Sequence, residues 1–249
     1  MRAPTDDAPG VDLVALRAEL NTLLDQQIVK LYEEVPYAAH HSRDKDINID
    51  HYRRHTIETI LRLRMKRTID ALTIHYFTKR NPRMAERWSV YTADEMLHDD
   101  LFARDLKAIG VPREEIYSTQ PLFATQLLQG YFYYGLEHEG RPLASLTSSY
   151  FIEYFTDATQ GQWCENLEES LGREKMSGMR AHVSHDIKDN HLDFVWNVLA
   201  SLIETEDDAA ALLRHADRVF QLICMYFTEL YETTVLDPTN EAPVAGGVR

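Results

Sequence analysis

Between residues 181 and 196 the chain reads AHVSHDIKDNHLDFVW, and no other stretch restricts the possible folds as much. At about 100° per residue, a helix here places His182, His185, Asp186, Asp189 and Asp193 on one stripe made only of imidazoles and carboxylates. An apolar core accepts such groups only at a cost of several kcal/mol for each one left without a partner. The stripe must therefore face solvent, or meet other polar groups around a shared partner. A divalent metal would be such a partner.

The rest of the chain must then supply the other side of that site. Its 249 residues, 44% hydrophobic and 27% charged, have the composition of a soluble globular protein long enough for a large single core. A formal charge of -14 argues against nucleic acid, which needs a basic surface. The first ten residues include Asp6 and Asp7, and no run approaches eighteen apolar residues, so neither a secretory signal nor a membrane span is expected. A cytoplasmic location and no membrane partner follow as expectations, and a homodimer is compatible with the sequence. Cys164 and Cys224 lie far apart outside any C-x-x-C pair, which predicts buried thiols rather than a disulfide.

Periodicity predicts an all-α fold without strands. Residues 1–10 read as a disordered tail, residues 11–236 as one helical domain and residues 237–249 as a second tail. Asp12 can cap a helix through Leu16, Leu20, Leu24 and Leu31 that Pro36 ends, and the polar run 40–46 reads as a loop with exposed His40 and His41. Further helices are expected over about 49–79, with Glu58 near the apolar side, and over about 84–109, with Asp94, Glu95, His98, Asp99 and Asp100. Two more cover about 120–140 and 144–171, the latter setting Glu153 among Tyr150, Phe151, Ile152, Tyr154 and Phe155. The His/Asp helix, opened by the break at Gly172, and a final helix over about 208–235 complete a bundle of seven. One irregularity stands out. The apolar stripes before Ile187 and after Leu192 do not align on a straight helix, so a bulge or unwinding is expected near 188–191.

Helical bundles build dinuclear iron or manganese sites from inward carboxylates and histidines, often with a Glu-x-x-His pair. Glu95 and His98 form such a pair, Glu153 is a second carboxylate in an aromatic helix, and the His/Asp stretch is the third piece. Oxygen and nitrogen donors suit iron or manganese, with zinc open for an imidazole-rich set. Each piece also has a plainer reading. Glu95 and His98 could lie on a solvated acidic face, Glu153 could be a buried acid bonded to a tyrosine, and the His/Asp stripe could be exposed.

Taken together and in this order, these motifs resemble the haem-oxygenase-like non-haem di-iron oxidases, over about residues 58 to 196. The resemblance implies a seven-helix haem-oxygenase-like bundle that binds no haem, two Fe(II) per chain, and oxidation of a small metabolite by dioxygen. Amino acids and fatty acids are typical substrates of such enzymes, and N-oxygenation, desaturation and carbon-carbon cleavage are typical outcomes. An amino acid or a derivative is the expected substrate here.

As ligands the resemblance implies Glu95, His98 and Glu153, with His182 and Asp186 from the His-x3-Asp-x2-His helix. Asp189 stands where that pattern has its last histidine. A shifted register offers His185 and Asp189 but puts Leu192 in the last slot, and His191 fits neither register unless the helix bulges. Glu58 is a candidate extra carboxylate. Tyr150 and Tyr154 are expected to line the substrate pocket, with Arg141, Arg62 or Arg64 available for a substrate carboxylate. Two alternatives remain open at this level. One is a cofactor-free enzyme of the TenA or pyrroloquinoline-quinone-synthase type, where Cys164 would have to act; the other is a non-enzymatic helical binding protein.

Overall fold

A computed structural model describes residues 10–237, and of residues 185–189 the backbone alone. Most of both expected tails, residues 1–9 and 238–249, lies outside the described residues. Among the described residues there is no strand, and no helix is long and apolar enough to cross a membrane.

The elements are α1 (Leu13–Glu34), α2 (His40–Arg43), α3 (Ile49–Arg80), α4 (Pro82–Glu95), α5 (His98–Ala108), α6 (Arg113–Ser118), α7 (Phe123–Tyr134), α8 (Leu143–Leu171), α9 (Ser177–Asp189), α10 (His191–Ala200) and α11 (Glu206–Tyr231). Ten of these are six residues or longer, where the sequence led to seven. Two of the extra helices arise from breaks inside expected ones, at Met96–Leu97 and at Asn190, and α6 is too short to show a period.

Local chemistry accounts for the starts. The Asp12 carboxylate accepts from the amides of Val14 and Ala15 at 3.0 and 3.1 Å, and the Asn48 side chain does the same for Asp50 and His51. Thr205 and Asp208 cap α11 reciprocally. Pro82 opens α4 in the first turn, where a missing N–H costs nothing.

The long helix α3 packs against α4 and α5, while α8 lies between α1, α10 and α11. The main core joins Leu20, Leu24, Phe77, Trp88, Leu146, Trp163, Leu212 and Val219, all buried. A smaller cluster of Ile57, Ile60, Phe102, Leu106 and Ile116 fills the space under α5 and α6.

Two residues in the supposed loop overturn the reading of that segment. His40 and His41 are buried, each 2% exposed, within a turn of helix. His40 Nε2 accepts the Asn48 amide at 2.8 Å and its Nδ1 lies 2.6 Å from Asp44, which folds the segment back on the start of α3. The His41 ring then sits 5.2 Å from His51, 5.1 Å from His55 and 5.3 Å from Trp163. A polar sequence becomes an interior because its imidazoles stack on one another and on aromatic rings.

Helix α9 is docked tightly on α5. Asp105 is 1% exposed, and its carboxylate accepts from the Gly178 and Met179 amides at 2.7 Å each, capping α9 from a neighbouring helix. A Cβ on Gly178 would lie 2.0 Å from the Leu101 carbonyl oxygen, a backbone atom that cannot yield. Gly178→Ala is therefore expected to push α9 off α5 and break both amide bonds, destabilising by about 3 kcal/mol. Gly130, exposed in α7 with nothing within 4 Å of its Cβ position, is the control. Gly130→Ala should stabilise by about 0.5–1 kcal/mol. Urea unfolding of the two variants checks the opposite signs.

Candidate metal centre

Among the described residues, three carboxylates and three imidazoles meet where α4, α5, α8, α9 and α10 converge. The Glu-x-x-His pair, expected on one helix, is split between two: Glu95 ends α4 and His98 begins α5. The break is pinned by Arg67, whose Nη2 donates to the Met96 carbonyl and to Asp99, both at 2.5 Å. Across it, His98 Nδ1 lies 2.9 Å from Glu95 Oε2. The His182 ring meets His98 edge-on at 4.9 Å and packs on Phe102 at 5.1 Å. One donor atom each from Glu95, His98 and His182 lie within 4.8 Å of one another.

A second group shares Glu95. His191 Nδ1 is 3.4 Å from Glu95 Oε1 and 4.0 Å from Glu153 Oε1, while its Nε2 is 3.1 Å from Asp94 Oδ2. Donor atoms of Asp94, Glu95 and His191 again lie within 4.8 Å of one another. On a straight helix His191 would stand nine residues, or about 900°, beyond His182 and so on the opposite face. It reaches the site because Asn190 takes φ 51° and ψ 51°, a left-handed residue that ends α9 and restarts the chain as α10. The phase shift in the apolar stripe thus marks this break. The same break carries Asp193 away from the site to an exposed pair with Arg17 at 2.5 Å.

Glu153 sits 11% exposed and accepts from Tyr91 Oη at 2.5 Å. Burial, reinforced by Glu153 and Glu95 nearby, holds the Tyr91 hydroxyl well above its ordinary pKa of 10, so it remains a donor. Lys66 and Asp70 lie next to this group as a closed ion pair, with Nζ 2.8 and 2.7 Å from the two carboxylate oxygens. Burial pushes the Asp70 carboxyl up, and Lys66 opposes the shift.

Glu95, Glu153 and His182 form part of the wall of a cavity of about 180 Å³ whose other walls are mostly aromatic and aliphatic, including Phe132, Phe151 and Phe227. A second cavity, also about 180 Å³, touches Glu153 and His191 from the side of Gly161 and Asn190.

Several expected residues stand elsewhere. The side chains of His185, Asp186 and Asp189 lie outside the described part of the structure. Tyr150 and Tyr154 point away from the cavity to α1, where they donate to Asn21 and Asp25 at 2.7 Å each. Their neighbours Ser149, Phe151, Ile152 and Glu153 line it instead, because the helix turns the tyrosines to the opposite side. Arg141 is bound to Asp208 at 2.5 Å and to the Leu202 carbonyl, tying α8 to the start of α11. Glu58 is fully buried but held by Arg54, the Leu122 amide and Thr125, apart from the site. Arg64 is exposed against Tyr117. Cys164 lies outside the cavity wall, and burial pushes its thiol up to about 11, which leaves it unsuited to act as a nucleophile. The sequence reading placed Asp94 on its helix but not among the donors, and it missed Tyr91, since neither belongs to a spaced motif.

An all-helical bundle with carboxylates and imidazoles gathered at its centre defines the class of the site: one whose oxygen and nitrogen donors could hold a metal ion. Residues 65–223 match the family model described as iron-containing redox enzyme, and the chain belongs to that family. The fold is haem-oxygenase-like. A domain of unknown function with a haem-oxygenase-like fold from Shewanella denitrificans superposes with a TM-score of 0.76 at 20% identity, over 96% of this chain and 99% of that one. A TenA homologue from Pseudomonas syringae pv. tomato follows at 0.66 and 12% identity, over 93% and 98% of the two chains. No curated protein matches.

Proposed function

We propose that this chain is a di-iron oxidase or oxygenase that uses dioxygen to oxidise a small metabolite, an amino acid or a derivative of one, by N-oxygenation, desaturation or carbon-carbon cleavage. The observation that carries the reading is the placement of Glu95. One of its oxygens faces His98 at 2.9 Å and the other faces His191 at 3.4 Å, as a carboxylate shared between two metal positions would be set. His98 and His182 would complete one position, and His191 with Glu153 and Asp94 the other. The donor set fits iron: it has oxygen and imidazole nitrogen and no thiolate.

Bound there, ferrous ions would supply the electrons that dioxygen chemistry requires. The chain's own residues do the rest. Tyr91 keeps its proton and holds Glu153 in one orientation through the 2.5 Å bond. Arg67 fixes the Met96–Leu97 break, and with it the distance between Glu95 and His98. The aromatic cavity walls exclude water from the reacting face.

The test is anaerobic titration of metal-free protein with ferrous iron, counting bound metal by equilibrium dialysis. About two irons per chain are expected, falling to about one in Glu153→Ala. Absence of stoichiometric binding, or a single iron indifferent to Glu153, would overturn the di-iron reading.

A further inference from the structure

We infer that Arg62 anchors a carboxylate in the cavity beside the metal centre, and that the substrate is an elongated carboxylate whose reacting end lies away from that anchor, toward Glu153. The inference rests on reading this cavity as the substrate site and names what that site would hold.

The cations of α3 fall into two kinds. Arg54 pairs with Glu58 at 2.7 Å, Lys66 with Asp70 at 2.7 Å and Arg67 with Asp99 at 2.5 Å. Arg62, which lines the cavity, has no carboxylate within ion-pair distance among the described residues. Its Nη2 donates to Thr59 Oγ1 at 3.0 Å and its guanidinium carbon lies over the Tyr226 ring, 4.3 Å from the centroid. Tyr226 is itself fixed by His55, 2.9 Å from its hydroxyl. Nη1 is buried and makes no hydrogen bond.

A guanidinium keeps its charge at any ordinary pH, so one whose Nη1 is buried without a counter-ion is an incomplete arrangement. Contact with the Tyr226 ring and the bond to Thr59 hold the guanidinium in place, which suits recognition of an anion. A carboxylate in the cavity would complete it. Two buried acceptors that also line the cavity, Gln129 Oε1 and Gln160 Oε1, make no hydrogen bond either and would take N–H donors from the ligand. The carboxylate and the amine of an amino acid answer both needs, and the apolar wall answers a hydrocarbon chain between them.

The length follows from the helices. At one end His55 meets Trp163 at 5.5 Å, and at the other Tyr91 meets Glu153. Trp163 and Glu153 are ten residues apart on α8, which is about 15 Å of helix axis. Arg62, bound to Tyr226, belongs to the His55 end, so the ligand runs along α8 toward Glu153 and is oxidised far from its carboxylate.

The experiment uses metal-free, full-length protein and calorimetric titration with octanoate, 8-aminooctanoate and octylamine. Octanoate and 8-aminooctanoate are expected to bind wild type and to lose about tenfold or more in affinity in Arg62→Gln, with Arg62→Lys recovering part of it. Octylamine should be indifferent to both changes. The unliganded Arg62→Gln protein should melt no lower than wild type, since it loses a half-buried charge that has no counter-ion. A lower melting temperature, octanoate binding to Arg62→Gln within about twofold of wild type, or no carboxylate binding to wild type at all, would overturn the inference. Iron stoichiometry, measured separately and expected to be unchanged in Arg62→Gln, shows whether the di-iron reading fails independently.

Discussion

Glu95→Ala is expected to bind about tenfold less ferrous iron than wild type, because it removes the carboxylate that, among the described residues, faces both histidine groups. His98→Ala should remove one iron and spare the position beside His191 and Glu153. His191→Ala should do the reverse. The same Glu95 substitution should raise the melting temperature of the metal-free protein by a few degrees, roughly 1 kcal/mol, since it removes one acid from a buried group that includes Asp70 and Glu153. Loss of metal with a gain in stability distinguishes a ligand from a structural residue. Should Glu95→Ala keep half of the iron, the carboxylate is not shared and the two positions are independent.

The second large effect is acid lability, and it comes from the histidine cluster rather than the metal centre. Burial holds His41 and His55 well below their ordinary pKa of 6.5 and pushes His51 down to about 3, with neighbouring imidazoles adding to each shift. The folded state keeps these rings neutral at pH values where the unfolded chain protonates them. Below about pH 6.5 the unfolded state therefore binds more protons, and stability falls with pH through the window between the unfolded and folded values. Three such histidines lower stability by up to about 5 kcal/mol between pH 6.5 and 5, before carboxylates titrate appreciably. Urea unfolding at pH 7, 6 and 5 measures the slope. His55→Phe, which keeps an aromatic ring against Trp163 and Phe227, should flatten it by about a third. An unchanged slope would place the acid sensitivity elsewhere.

The sequence by itself determined the all-helical class, the cap at Asp12 and the irregularity near Asn190, and it named Glu95, His98, Glu153 and His182 as candidate donors. These are local matters. Capping and periodicity depend on residues within one or two turns, and a phase error in an apolar stripe is visible along a single strip of sequence. Family membership was legible for the same reason, since motif order and spacing survive without coordinates.

Only the tertiary structure decided how those residues meet. It broke the Glu95–His98 helix in two and turned Tyr150 and Tyr154 toward α1. It committed Arg141 to Asp208 and buried His40 and His41, which read as loop. It also brought Asp94 and His191 to the site and left Arg62 as the cation facing the cavity without a carboxylate. Each of these outcomes depends on which neighbour lies across a helix interface, many tens of residues away in sequence. A single left-handed residue at Asn190 redirects every side chain after it, and whether that face meets metal ligands or solvent is set by the packing of α10 against α4 and α8.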